Sequence, residues 1–191
     1  MGIIEFIQKY WLNWLKHFNV SMRNQRLNRL EEERIKLFEN LESLSTEKLD
    51  ASVNGNWSIN QILYHLWVVE TSSIKYIQKK TKYPDSLVSV SPLNYLKPKI
   101  LKLLLAFGVK LKAPKIVSAF PEKIDFHKLN KEWKNSRESL DQLIVELKEK
   151  NFDKKAILRH PILGRINLTL ALDFFDFHFK HHQKAINLLK K

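Results

Sequence analysis

The sequence predicts an all-α protein: a four-helix bundle with a long crossover between its second and third helices, and an extra N-terminal amphipathic helix. Two observations support this class. Apolar side chains recur every three or four residues through several long segments, whereas the alternation typical of strands is almost missing. Only four glycines and six prolines interrupt 191 residues. We therefore expect long regular helices and a sheet content near zero.

The first helix of the predicted bundle covers residues 24–44. Leucine and phenylalanine side chains occur at helical intervals, and arginine and glutamate side chains lie between them. This spacing indicates an amphipathic helix that buries one face. Asn54, Gly55 and Asn56 then break the pattern before the second helix begins.

The second helix carries clear start signals around Ser58. The Ser58 hydroxyl is expected to cap the helix, with Gln61 as the reciprocal partner of a capping box. Trp57 is expected to pack on Ile62 as a hydrophobic staple rather than to line a pocket. The inward stripe of this helix places His65 among apolar neighbours, one to two turns past the cap.

A long connection over residues 80–125 separates the second helix from the third. It contains five prolines and one lysine-rich apolar segment, LKPKILKLLLAFGVKLKAPK. Such a length suits a crossover between neighbouring parallel helices, with an accessory helix over residues 99–107. The third helix is expected over residues 127–150.

The turn RHPILGRINLT precedes the last helix. Pro161 and Gly164 bar a continuous helix there, and either Asn167 or Thr169 can cap the helix that follows. His160, directly before the proline, is expected to be a surface turn residue. The fourth helix then runs to the C-terminus, with aromatic and histidine side chains turned inward.

Three histidines on two apolar helix faces form a candidate metal site. His178 and His182 are four residues apart, so they lie on one face of the last helix. Neutral imidazole binds divalent transition metals, and three protein ligands leave the open position that a catalytic site needs. His65 is the best candidate for the third ligand. His181, three residues after His178, is an alternative to His182.

Composition excludes several kinds of chemistry. The chain has no cysteine, which rules out disulfides, thiolate zinc sites and a cysteine nucleophile. Its net charge of +13 can attract anions, and Arg159 and Arg165 are weak candidates for contacting one. Nucleic-acid binding is not favoured, because no helix-turn-helix, zinc-finger or RNP signature accompanies the charge. Without a signal-peptide core or a membrane-length apolar run, a cytoplasmic location is expected.

The N-terminal residues 1–21 form an extension to the domain of residues 22–191. Isoleucine, tyrosine and tryptophan make an apolar stripe beside Lys9 and Lys16. Packing on the bundle or on a second subunit is expected, which makes a homodimer reasonable. Peripheral membrane contact, helped by the lysine-rich segment around Leu103, is the alternative.

Two segments give the chain a family resemblance. WSINQILYHL and HPILGRINLTLALDFFDFHFKHHQ resemble the corresponding segments of the DinB-like helical-bundle superfamily. That superfamily takes in damage-inducible DinB proteins and bacillithiol or mycothiol transferase-like proteins. The resemblance covers about residues 22–190. It implies a four-helix bundle with a long crossover, and a divalent metal held by His65, His178 and His182.

Two functions follow as expectations. The first is a metal-dependent enzyme, a thiol (S-)transferase or a hydrolase acting on a small substrate, with zinc, nickel, manganese or iron as the metal. The second is a non-enzymatic, metal-containing bundle that binds a membrane surface, a partner protein or nucleic acid. Access of small ligands to the metal discriminates between them, because a structural site is closed.

Overall fold

The computed structural model describes residues 25–53, 55–106 and 115–191, with the side chains of residues 102–106 and 115–116 left aside. This part of the chain is mostly helical and carries a small two-stranded sheet. The predicted N-terminal helix of residues 1–21 lies outside the described residues, as does residue 107 of the accessory helix. In chain order the elements are α1 (Gln25–Leu41), α2 (Thr46–Asp50), α3 (Ile59–Lys80), a 3-10 turn (Pro84–Ser86), α4 (Leu93–Ala106), α5 (Lys115–Ser118), α6 (Phe126–Glu149), β1 (Leu158–His160), β2 (Gly164–Ile166) and α7 (Leu168–Leu189).

The four long helices α1, α3, α6 and α7 pack on one another. Helices α1 and α3 each contact both α6 and α7. Their apolar faces form two clusters, one that includes Phe175 and Leu140 and one that includes Trp133 and Phe38. Each such side chain contributes roughly 1.5–3 kcal/mol when it is fully buried. These clusters hold α3 and α7 at fixed positions relative to each other.

Caps fix where the long helices begin. The predicted capping box of α3 is confirmed: the Ser58 hydroxyl accepts from the Gln61 N–H at 3.2 Å, and Gln61 Oε1 accepts from the Ser58 N–H at 3.0 Å. Of the two candidates for α7, Asn167 is the cap, since its Oδ1 accepts from the Leu170 N–H at 3.0 Å. Asp125 caps α6 in the same way.

The connection between α3 and α6 contains a longer accessory helix than the one predicted. Helix α4 begins at Leu93 rather than near residue 99, and Pro98 lies within it. Local propensity favours a start after Pro98, because proline lacks a backbone donor and usually interrupts a helix. Helix α4 contacts α7 and β2, and the short helix α5 contacts α3.

The turn before α7 is a β-hairpin, which corrects the expected near absence of sheet. Strands β1 and β2 pair antiparallel with Leu158 opposite Ile166 and His160 opposite Gly164. Gly164 has φ +77°, a conformation that residues with a Cβ rarely adopt. Three-residue strands are too short to give a recognisable alternation in the sequence. Within the described residues, no helix is both long and apolar enough to cross a membrane.

Candidate metal centre

Helices α3 and α7 bring the three predicted histidines together. His65 lies on α3 and is 3% exposed. His178 and His182 lie on α7 and are half-buried. One ring nitrogen from each histidine forms a group in which all three nitrogens are within 4.8 Å of one another. The four-residue spacing of the α7 pair places both rings on one face of the helix. Helix α7 packs on α3, which carries His65.

A backbone carbonyl orients the His65 ring. Nδ1 of His65 lies 2.7 Å from the carbonyl oxygen of Val117, which belongs to α5. Because a carbonyl can only accept, Nδ1 carries the proton and donates. The Nε2 atom of His65 is then unprotonated, and it lies 3.1 Å from Nε2 of His178. The short helix α5 therefore fixes which nitrogen His65 presents to the centre.

Burial keeps the three rings neutral. It lowers the pKa of His65, and it holds the pKa of His178 well below the usual value. Burial, followed by the proximity of His65 and His181, lowers the pKa of His182 to about 3. Neutral imidazole has a free lone pair at neutral pH, which is the form that binds a metal.

Trp57 forms part of the wall of this centre. Its ring centroid is 4.9 Å from that of His65, and it stacks on His182 at 6.3 Å. It also packs against the apolar cluster that contains Ile62, where the staple was predicted. Trp57 therefore packs where the staple was predicted and also contacts two of the histidine rings. Its position directly before the cap of the His65 helix is the signal that could have indicated this role.

Two phenylalanines extend the aromatic wall. Phe120 packs edge-on against Trp57 with centroids 5.1 Å apart. Phe174, one turn before His178 on α7, stacks on the His178 ring at 5.1 Å. Phe120 lies in the irregular segment before α6, where the sequence offers no periodic pattern that predicts an inward side chain.

His160 and His181 lie beside the centre without joining it. His160 is half-buried rather than a surface residue as expected. Its Nδ1 accepts backbone N–H groups of Ile162 and Leu163, and burial lowers its pKa to about 4. His181 is exposed, and the group of three nitrogens contains His182 instead. Helical angle explains this choice, since His181 is turned about 100° from His182.

Charged side chains near the centre in sequence are directed elsewhere. Asp173 pairs with Arg26 at 2.7 Å, and Asp176 pairs with Lys180 at 2.7 Å. Arg159 and Arg165 face each other in the hairpin register and are exposed. The centre is therefore built from imidazole and aromatic groups, without help from these four residues.

The fold and this group of histidines define a helical protein with a candidate metal centre. The chain belongs to the DinB superfamily, whose sequence profile matches residues 29–186. The resemblance of the two motif segments is thereby confirmed.

Named relatives cover most of the chain. The uncharacterized protein YuaE of Bacillus subtilis strain 168 is 26% identical over 161 residues, spanning 84% of this chain and 94% of its own length. A protein of Bacillus cereus strain B4264 named "Putative metal-dependent hydrolase" is 27% identical over 152 residues, spanning 79% of this chain and 75% of its own length. A protein of the same name from Bacillus anthracis strain CDC 684 matches to the same extent. No solved structure matches the chain significantly.

Proposed function

We propose that this protein is a divalent-metal-dependent hydrolase whose metal is held by His65, His178 and His182. The observation that carries the proposal is the convergence of one nitrogen from each ring to within 4.8 Å of the others. The names of the Bacillus cereus and Bacillus anthracis relatives point to the same class of reaction.

The donor set fits a divalent ion such as zinc, nickel, manganese or iron. Two imidazole nitrogens on one tetrahedral zinc ion lie roughly 3.3 Å apart, given ligand bonds of about 2.0–2.1 Å. The Nε2 atoms of His65 and His178 lie 3.1 Å apart. Metal-binding histidines usually donate their other N–H to a carbonyl or carboxylate, and His65 does so to Val117.

The residues of the chain would hold the metal, orient its ligands and shield it from bulk water. A divalent ion at such a site supplies Lewis-acid chemistry, lowering the pKa of water or of a thiol toward neutrality. His65 is oriented by the Val117 carbonyl, so its Nε2 needs no rearrangement to act as a ligand. Trp57 and Phe174 cover ring faces of the histidines and limit the access of bulk water. Three protein ligands leave a fourth position for a small reactant.

A second candidate reaction is S-transfer from a small thiol. The aromatic wall of Trp57, Phe120 and Phe174 favours it, because a thiol is a soft, weakly hydrated group that suits an apolar surface. The chain itself has no cysteine that would compete with such a thiol. Adding a thiol to the cobalt-substituted protein should change its visible spectrum, whereas an unchanged spectrum would argue for a closed, structural site.

The arrangement of the long helices supports this function. We infer that α1, α3, α6 and α7 act as a four-helix bundle and that the connection holding α4 and α5 crosses over it. In such bundles, metal ligands project from facing helices into the core. The contacts of α3 with α7 and of α5 with α3 support this arrangement.

Elemental analysis of the protein purified without an affinity tag tests the proposal. We expect near-stoichiometric metal in the wild type and its loss in His65→Ala and in His178→Ala. His127→Ala is the matched control, since that side chain is 76% exposed and lies on α6. His181→Ala should also keep its metal, whereas His182→Ala should lose it.

Two results would count against the proposal. One is a wild type without metal even after incubation with each of the four ions. The other is a loaded protein that fails to hydrolyse a panel of ester, amide and lactone substrates faster than His178→Ala does.

A further inference from the structure

Helix α4 presents a group of exposed apolar side chains. Leu93, Leu96 and Ile100 are 66%, 52% and 55% exposed. Spacings of three and four residues place them on one stripe of the helix. Exposed aliphatic residues scattered singly need no explanation, but several on one short helix indicate a contact surface.

The opposite side of α4 is anchored, so this stripe has a fixed orientation. The buried Asn94 side chain donates to the carbonyl oxygen of Arg165 at 2.6 Å. Leu101, one heptad later, is buried in the apolar core. Asn167 donates to the hydroxyl of Tyr95 at 3.0 Å. Since Asn94 and Leu101 hold the inner side, Leu93, Leu96 and Ile100 remain on the outer side.

The segment of sequence that carries this stripe is rich in lysine. Lys99 is exposed and lies on the outer side of α4 next to Leu96. Between Asp85 and Glu122 the chain contains six lysines and neither aspartate nor glutamate. The whole chain has a net charge of +13. A second copy of the same face would be repelled by these charges, whereas an anionic surface would be attracted.

We propose that the outer face of α4, formed by Leu93, Leu96, Lys99 and Ile100, docks on an anionic phospholipid surface. Aliphatic side chains with flanking lysines are the composition of helices that lie in the membrane interface. The apolar side chains enter the boundary between headgroups and acyl chains, while the lysine stays at the level of the phosphates. Docking through α4 would place the lipid on the side of α4 that faces away from α7 and β2, which α4 contacts.

Flotation of the full chain with vesicles tests this docking. The vesicles contain either phosphatidylcholine alone or equal parts of phosphatidylcholine and phosphatidylglycerol. We expect binding to the anionic vesicles that weakens at high salt, and at least about tenfold weaker binding to phosphatidylcholine alone. The variant Leu96→Gln with Ile100→Gln should lose about tenfold in binding to the anionic vesicles. Lys99→Glu should also weaken binding.

A matched control substitutes exposed apolar residues elsewhere. Ile35 on α1 and Leu188 on α7 are 42% and 71% exposed. Ile35→Gln with Leu188→Gln should bind vesicles as the wild type does. Thermal unfolding of both double variants at the temperature of the wild type shows that they are folded. If Leu96→Gln with Ile100→Gln binds the anionic vesicles as strongly as the wild type does, the proposal is overturned, because another segment must then bind the lipid. Absence of vesicle binding by the wild type overturns it too. A wild-type dimer that becomes a monomer in the α4 variant would also overturn it, because a second copy of the chain would then occupy this face.

Discussion

The imidazole Nδ1 of His65 and the carbonyl oxygen of Val117 lie 2.7 Å apart, although the two residues are 52 positions apart in the chain. This hydrogen bond joins the connection between α3 and α6 to the candidate metal centre. It fixes both the rotation of the ring and the nitrogen that remains free. The short helix α5 is therefore part of the centre, even though it contributes no ligand.

The first prediction concerns the tautomer of His65. In the metal-free protein at neutral pH, we expect the proton on Nδ1 and a lone pair on Nε2. Nitrogen NMR of imidazole-labelled protein distinguishes the two tautomers. Addition of zinc should shift the Nε2 resonance while Nδ1 keeps its proton. A proton on Nε2 in the metal-free protein would show that Val117 does not orient the ring.

The second prediction is a loss of stability in acid. Burial depresses the pKa of His160 to about 4 and that of His182 to about 3. The unfolded chain takes up these protons first, near pH 6.5. Stability from the neutral rings is therefore complete above about pH 6.5 and is lost as the pH falls toward 4 and then 3. Urea unfolding of the metal-free protein across this range measures the loss.

One variant isolates the contribution of His160. His160→Asn keeps an acceptor for the N–H groups of Ile162 and Leu163 but cannot be protonated. Its unfolding free energy should fall less between pH 6.5 and 4 than that of the wild type, by up to about 3 kcal/mol. His127→Gln, at an exposed position, is the control for the loss of a histidine elsewhere in the chain. Identical slopes in all three proteins would contradict the assignment.

The third prediction concerns the cap of the His65 helix. Ser58→Ala removes the hydroxyl that accepts from the Gln61 N–H, and it should lower the free energy of unfolding by about 1 kcal/mol. Because His65 lies two turns past this cap, the variant should also bind zinc more weakly. Competition with a coloured chelator measures that affinity.

Ser45→Ala is the control for this effect. Ser45 caps the short helix α2, which carries none of the three histidines. Its loss should lower stability without changing zinc affinity. If both alanine variants bound zinc equally, the cap of α3 would have no influence on the centre.

Local sequence signals were sufficient to predict much of this structure. The capping box at Ser58, the cap at Asn167 and the ends of α6 near residues 127 and 150 depend on neighbours within a few residues. His178 and His182 face the same way for a similarly local reason, the four-residue spacing. The prediction that they meet His65 rests on the apolar faces of both helices and on the family resemblance, since helical periodicity alone does not say which faces meet.

The features that sequence reasoning missed depend on distant contacts. Trp57, directly before α3, meets Phe120 of the connection between α3 and α6, and Val117 reaches His65 from a four-residue helix. Helix α4 continues through Pro98 while Asn94 is anchored on the hairpin. Tertiary contacts of this kind override local propensity and leave no periodic trace in the sequence.

The fourth prediction concerns a buried ion pair in the interior. Glu70 on α3 accepts from Arg137 Nη2 at 2.7 Å and from the Trp133 indole at 2.8 Å. The Glu70 and Arg137 side chains are only 2% and 3% exposed. Burial raises the pKa of Glu70, while the charge of Arg137 opposes that shift. Among the described residues, Arg137 Nε and Nη1 have no hydrogen-bond partner, so the pair is incompletely satisfied.

Removing one partner should therefore cost far more than removing both. Arg137→Met leaves a buried carboxylate without its counter-ion and should lower the free energy of unfolding by about 3–5 kcal/mol. Glu70→Leu with Arg137→Met should cost less than the sum of the single changes, because it leaves no charge uncompensated. The exposed pair Lys150 and Glu146 is the control, and Lys150→Met should change stability by about 1 kcal/mol or less. Urea unfolding of Arg137→Met, Glu70→Leu, the double variant and the control Lys150→Met measures the coupling. If the double variant lost as much unfolding free energy as the two single variants together, the two charges would not stabilise each other.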